Sequence, residues 1–89
     1  MRYDKLYGFY HDSSLETYLD ARFSEIAAAG IPISCEKSLN TEGLANMWGV
    51  NSFPTLVLSK NGLRGPILTG SYPGHTIVEW LNKNGVTSE

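Results

Sequence analysis

Very few side chains in this sequence could carry out covalent or metal-dependent chemistry. Cys35 is its single cysteine, so an internal disulfide is excluded. It falls in an alternating apolar segment, which predicts a buried, unreactive thiol, with a reactive monothiol as the alternative. His11, Asp12 and His75 could meet at one end of a sheet, but their spacing matches no known set of metal ligands. We therefore expect neither a metal nor a cofactor.

A polar cluster precedes the first helical pattern. Ser13 is followed three residues later by Glu16, which has the form of a capping box, and Ser14 lies between them. We interpret these side chains as helix-capping groups. The alternative is a site for an anion, such as a carboxylate of glutathione, at an open helix N-terminus.

The composition narrows the class of protein. The 89 residues are enough for one domain, 1–89, and 42% hydrophobic with 18% charged residues indicate a globular chain. A net charge of −2 without any run of Lys or Arg argues against direct binding of nucleic acid. The sequence has neither a signal-peptide pattern nor an apolar stretch of about 18 residues. We therefore expect no membrane association and a cytoplasmic location.

Hydrophobic patterns predict the elements that would position these side chains. Residues 5–10 are rich in aromatic side chains and predict a strand. A helix of about four turns then ends at Gly30. The apolar stripe of this helix consists of Leu15, Tyr18, Leu19, Arg22, Phe23 and Ile26. Residues 31–36 predict a second strand, which carries Ile31, Ile33 and Cys35 on one face and which Pro32 places at an edge. Together they form a βαβ unit, whose crossover is right-handed in nearly all proteins.

The second half of the chain predicts a short helix, a hairpin and a last helix. Thr41 is the expected N-cap of the short helix, in which Leu44, Met47 and Trp48 share a face and which Gly49 ends. Residues 55–58 are apolar or β-branched, which predicts a strand buried on both sides after Pro54. A hairpin turn is expected at residues 60–62, and the last strand at residues 64–69. The last helix should turn Ile77, Trp80 and Leu81 towards the core, and residues 86–89 should form a loose tail.

The segment from Trp48 to Gly62 resembles the thioredoxin family. It contains Trp-Gly-Val, then Phe-Pro-Thr-Leu, further apolar residues and Lys-Asn-Gly, as the family's tract does. The likeness continues to about Gly85, with Gly70-Ser71 where the family has Gly-Ala. This resemblance implies an α/β chain with a minimal thioredoxin fold, β-α-β-α-β-β-α, in which three helices flank a four-stranded mixed sheet. It also implies a cis peptide bond between Phe53 and Pro54.

The same resemblance shows which groups this chain lacks. The family's disulfide exchange needs Cys-x-x-Cys at the start of a helix. Aligned on Phe9-Tyr10, those two positions are Ser14 and Thr17, and hydroxyl groups there do not ionise near pH 7. Gly8 stands where many members bury an aspartate. We therefore expect no dithiol disulfide oxidoreductase activity.

The family binds its substrates across a surface that the resemblance transfers to eight residues of this chain. We call it the cis-proline groove, and it consists of Ser13, Ser14, Leu15, Phe53, Pro54, Gly70, Ser71 and Tyr72. The implied function is a redox-inactive protein-binding or adaptor module, a use that some small viral and bacterial proteins make of this fold. A glutathione-binding enzyme and a slow monothiol redox protein acting through Cys35 are the alternatives. A protein partner is expected, but the sequence determines neither its identity nor the oligomeric state.

Overall fold

The computed structural model describes residues 2–88, in which four strands and three helices form. The strands are β1 (Lys5–Tyr10), β2 (Ser34–Leu39), β3 (Thr55–Lys60) and β4 (Leu63–Thr69). The helices are α1 (Ser13–Ala28), α2 (Leu44–Met47) and α3 (Gly74–Lys83). This order confirms the predicted β-α-β-α-β-β-α arrangement.

The four strands make one mixed sheet in the order β2-β1-β3-β4. β1 is parallel to β2 and antiparallel to β3, and β4 is antiparallel to β3. Both edge strands are associated with a proline: Pro32, which predicted an edge position, precedes β2, and Pro66 lies within β4. A proline at these places does not interrupt the central ladders, because an edge strand pairs on one side alone.

Two apolar clusters lie on opposite faces of the sheet. Helices α1 and α3 pack on one face, where the core includes Leu6, Leu19, Ile26, Leu56, Leu58, Ile77 and Leu81. The short helix α2 lies on the other face with a smaller cluster of Phe9, Ala45, Trp48 and Val57. Strand β3 contributes to both clusters, which confirms that it is buried on both sides.

The predicted hairpin turn lies between β3 and β4. Asn61 and Gly62 have φ angles of 53° and 79°. Two successive residues with positive φ define the turn that matches the twist of adjacent antiparallel strands, and Asn-Gly is its preferred sequence. The turn therefore forms where the local sequence predicts it.

The predicted bounds of β2 were wrong. Ile31 and Ile33 are buried, but they precede the strand, which begins at Ser34 opposite Lys5. Their side chains fill the core beyond the end of α1 while the backbone is still turning, with the Ile31 N–H donating to the carbonyl of Ile26. Alternating burial alone therefore does not show where a ladder begins.

The predicted start of α2 was wrong, and its predicted apolar face was wrong at Met47. The helix begins after Gly43, not at Thr41, and it contains four residues. Trp48 is buried and Leu44 packs against the same cluster, as predicted, together with Ala45, but Met47 is 70% exposed. Residues 44, 45 and 48 lie within about 100° around a helix axis, and Met47 lies outside that range. Gly49 ends the turn with a φ of 72°, as predicted.

The predicted loose tail was wrong at Val86. Its side chain is fully buried, and its N–H donates to the carbonyl of Leu81 at 2.9 Å. Gly85 has a φ of 81° and donates to Asn82. This pair of bonds is the Schellman motif, in which a glycine reverses the chain and the next apolar residue returns to the helix. Thr87 and Ser88 are exposed, and Glu89 lies outside the described residues.

Candidate functional site

Asp12 caps the N-terminus of α1, a role that the sequence had indicated for Ser13 and Glu16. The Oδ1 atom of Asp12 accepts from the Leu15 N–H at 2.9 Å and from the Ser14 hydroxyl at 2.8 Å. These two bonds hold the pKa of the Asp12 carboxyl below its usual value of 3.8. The helix N-terminus therefore already holds a carboxylate of its own chain.

Glu16 does not complete a capping box because a lysine on β2 binds it. Lys37 Nζ lies 2.9 Å from Glu16 Oε2 and 2.9 Å from Asp20 Oδ1. Hydrogen bonds to the two carboxylates raise the pKa of Lys37. Lys37 pairs with Gly8 on the face of the sheet that α1 covers, so this cluster joins the first helix to the edge strand.

The two positions that correspond to the family's cysteines, Ser14 and Thr17, are both exposed near the N-terminus of α1. The Ser14 hydroxyl donates to Asp12, and the Thr17 hydroxyl donates to the carbonyl of Ser13 at 3.1 Å. These are helix-terminus hydrogen bonds of the kind that Ser and Thr commonly make. Neither side chain has a base within hydrogen-bond distance other than the Asp12 carboxylate, among residues 2–88.

Gly8 is buried where a family member would carry an aspartate, and the space above it is filled. A Cβ at this position would lie 2.8 Å from Phe23 Cζ and 2.9 Å from Leu19 Cδ2. Both side chains come from α1. The space that a side chain at position 8 would need is therefore filled with hydrocarbon.

The loop before β3 has a cis peptide bond between Phe53 and Pro54. The Pro54 carbonyl accepts from the Gly70 N–H at 3.0 Å, which holds this loop against the end of β4. Within residues 2–88, neither the N–H nor the C=O of Phe53 has a hydrogen-bond partner. The Phe53 ring is half-buried and packs edge-on against His11, with 5.4 Å between the ring centroids. The loop before β3 therefore contacts the connection between β1 and α1.

The loop after β4 is tied to α1 by Tyr18. The Tyr18 hydroxyl donates to the Tyr72 carbonyl at 2.6 Å and accepts from the Tyr72 N–H at 2.7 Å. Partial burial raises the pKa of Tyr18. Sequence analysis placed Tyr18 in the apolar stripe and missed this role, since no local pattern indicates a partner 54 residues away.

Tyr72 also covers Gly70. The Tyr72 ring would lie 3.2 Å from a Cβ at Gly70, whose φ is 121°. The positive φ favours glycine here because another residue would be strained, and a Cβ would in addition make a tight contact with the Tyr72 ring. Tyr72 is 36% exposed, so part of the residue is accessible to another molecule.

Three chain segments of the predicted groove are thus joined by contacts. His11 connects the start of α1 to Phe53, the Pro54 carbonyl connects to Gly70, and Tyr18 connects α1 to Tyr72. Ser13, Ser14 and Ser71 are exposed, and Leu15 is half-buried. The arrangement offers an unpaired backbone segment, two partly exposed aromatic rings and hydroxyl groups. It offers no thiol.

The other candidate residues lie elsewhere. Cys35 is half-buried on β2 against the core below α1, and burial raises the pKa of its thiol to about 11. His75 lies at the start of α3 near Glu25, whereas His11 contacts Phe53. In the part of the chain that the structure describes, no three His, Cys, Asp or Glu side chains are grouped so as to hold a metal ion.

Comparison with known proteins gives similarity in structure alone. No family model and no curated protein sequence matches the chain. A thioredoxin variant from Halobacterium salinarum NRC-1 superimposes with a TM-score of 0.74 at 23% identity, over 89% of this chain and 72% of that one. The oxidised thioredoxin of Plasmodium falciparum gives a TM-score of 0.72 at 14% identity, over 90% and 79%. Thioredoxin-2 of a malaria parasite gives 0.71 at 19% identity, over 93% and 85%.

These likenesses, together with the sheet order and helix placement, establish the class of protein: the chain has the thioredoxin fold. Identities below 25% support that statement and nothing about activity. Among residues 2–88, no helix is both long and apolar enough to span a membrane.

Proposed function

We propose that this chain is a redox-inactive protein-binding or adaptor module that holds a partner in the cis-proline groove. The observation that carries the proposal is the unpaired backbone of Phe53 at the point where three segments of the chain meet. An unpaired N–H and C=O directly before a strand can pair with the backbone of another chain, which then adds to the sheet. Recognition of this kind needs no thiol.

Two apolar side chains beside that backbone supply binding energy. Leu15 and Phe53 are each half-buried, so each has hydrocarbon surface left to cover. Full burial of an exposed side chain of this kind is worth roughly 1.5–3 kcal/mol, and covering the surface that remains on each of these two is worth part of that. Tyr72 adds a third surface, held in place by the hydrogen bonds between its backbone and Tyr18. Because the loop is already ordered, little conformational entropy is lost when a partner binds.

Redox chemistry is the less favoured function. Ser14 and Thr17 are hydroxyl groups in local hydrogen bonds, and the Cys35 thiol has a pKa of about 11. At that pKa only about one thiol in 10,000 is ionised at pH 7, and the thiolate is the reactive species. Glutathione binding is also disfavoured, because the carboxylate of Asp12 already occupies the helix N-terminus.

One structural neighbour illustrates an assembly role for this fold. Thioredoxin-2 of the malaria parasite is described as a component of that organism's protein secretion machinery. The description belongs to that protein. It supports the idea that a domain of this fold can act as a component of a larger assembly.

The proposal is tested by capture of partners from the source organism with two matched double variants. Phe53→Ala with Tyr72→Ala removes both aromatic rings of the groove, whereas Met47→Ala with Leu63→Ala removes exposed apolar side chains outside it. The partner should be lost with the first variant and retained with the second, both being shown to be folded by circular dichroism. Retention at unchanged affinity by the groove variant would place the interaction elsewhere.

A further inference from the structure

A small cavity lies beside the cis-proline groove, on the face of the sheet that carries α2. Its volume is about 120 Å³, and its walls include Val50, Ser52, Thr55, Ile67 and Thr69. The loop before Phe53 forms one wall, and the paired residues of β3 and β4 form the other. Among residues 2–88, no charged side chain lines it.

The cavity adjoins the groove through three chain connections. Ser52 precedes Phe53, Thr55 follows Pro54, and Thr69 precedes Gly70. A segment that pairs with the free backbone of Phe53 would be extended, and successive side chains of an extended segment point to opposite sides. One side would face Leu15 and Tyr72, and the other would face the cavity.

We propose that this cavity is a specificity pocket that takes one uncharged, branched side chain of an extended partner segment. The inference rests on the proposed function and adds the chemistry of the partner to it. A dry cavity of roughly 150 Å³ holds benzene, which has six heavy atoms. The volume here therefore holds at most four or five heavy atoms. It admits the side chains of Val and Thr, which have three heavy atoms, and of Leu and Ile, which have four, and it is too small for an aromatic side chain.

The lining also selects against charge. Val50 and Ile67 supply hydrocarbon, and the hydroxyl of Thr55 is already donated to the Ser52 carbonyl at 2.6 Å. A charged side chain entering the cavity would lose its hydration and find no partner of opposite charge. The pocket therefore selects the partner's side chain both by its size and by its lack of charge.

The test uses a phage-displayed library of random linear dodecapeptides, selected on the intact chain, followed by dissociation constants for the synthetic peptides. Selected peptides should share one position restricted to Val, Leu, Ile or Thr, and Asp or Trp there should weaken binding at least tenfold. Ile67→Lys should weaken binding of the parent peptide at least tenfold and should bind the Asp peptide more tightly than the wild-type chain does.

Two further variants make the outcome decisive. Leu63→Lys is the matched control, because Leu63 is 72% exposed on the same strand and pairs with Lys60, on the face opposite to Val57 and Ile67. It should change the dissociation constant less than twofold. Thr69→Phe fills the cavity without adding charge and replaces Ile67→Lys if that variant does not fold.

The outcomes separate the pocket from the groove. If binding depends on Phe53 and Tyr72 but is unchanged by Ile67→Lys and Thr69→Phe, the proposed specificity pocket is wrong, while the proposed binding in the cis-proline groove is retained. If the selection yields no peptide that binds, both proposals are overturned. A shared position without size or charge preference also overturns the pocket.

Discussion

Introducing an aspartate at Gly8 should destabilise this chain through two separate effects, steric crowding and burial of a carboxyl group. Gly8→Ala places a methyl group within 2.8–3.0 Å of Phe23 and Leu19. Overpacking of this kind costs about 1–3 kcal/mol, and loss of glycine flexibility in the unfolded chain returns about 0.4–1 kcal/mol. The contacted atoms are the ends of side chains, and half-buried Phe23 can move. We expect a net loss of about 0.5–2 kcal/mol in the free energy of unfolding.

Gly8→Asp adds a second cost. The carboxyl group would enter the hydrocarbon of Phe23 and Leu19, and Lys37, the cation on the paired strand, is already bound by two carboxylates. Burial of a carboxyl without a partner of its own adds about 1–3 kcal/mol. A total of about 2–5 kcal/mol is a large part of the stability of an 89-residue domain, about 4–13 kcal/mol. The variant should therefore be partly unfolded at ordinary temperature or have a markedly lower urea midpoint.

The measurement is urea unfolding followed by tryptophan fluorescence, extrapolated to zero denaturant. A double-mutant cycle with Phe23→Leu tests the contact itself. Gly8→Ala should cost at least about 0.5 kcal/mol less when the Phe23 ring is absent, because residues in contact show coupling of this size. Phe23→Leu alone is the reference. If Gly8→Ala is neutral and the coupling is zero, the space above Gly8 is not filled as described.

Three further predictions concern Cys35, Val86 and Asp12. The native protein should show no turnover in a disulfide-reduction assay, and the rate at which Cys35 reacts with a thiol reagent should rise with pH towards about 11; turnover that Cys35→Ser abolishes would contradict this. Val86→Ala should lower the free energy of unfolding by about 1–3 kcal/mol, because its buried side chain closes the end of α3, while exposed Thr87→Ala should change it by no more than about 0.5 kcal/mol. Because the folded-state pKa of Asp12 lies below 3.8, its contribution to stability is present above pH 3.8 and is lost as the pH falls towards the folded-state value. Asp12→Asn should reduce that acid-dependent loss in unfolding measured by circular dichroism, and an unchanged pH profile would show that the carboxylate does not cap α1.

Features encoded by neighbouring residues could be predicted. The Lys60-Asn61-Gly62 turn and the apolar run of β3 depend on backbone preference and local pattern, so the sequence predicted them. Gly85 followed by Val86 is the local signature of the Schellman motif, and that signal was missed. The start of β2 was placed too early because burial of Ile31 and Ile33 was taken as strand pairing.

By itself, the sequence determined the order of the helices and strands, the position of the hairpin turn and the burial of β3, which follows Pro54. It also showed that Cys35 is the single cysteine. Only the tertiary structure decided which side chains meet. Glu16 binds Lys37, which is 21 residues away, and Tyr18 holds Tyr72, which is 54 residues away. The preference for glycine at position 8 depends on α1, whose side chains fill the space above it. Such contacts depend on how distant elements pack, and no local spacing or propensity encodes them.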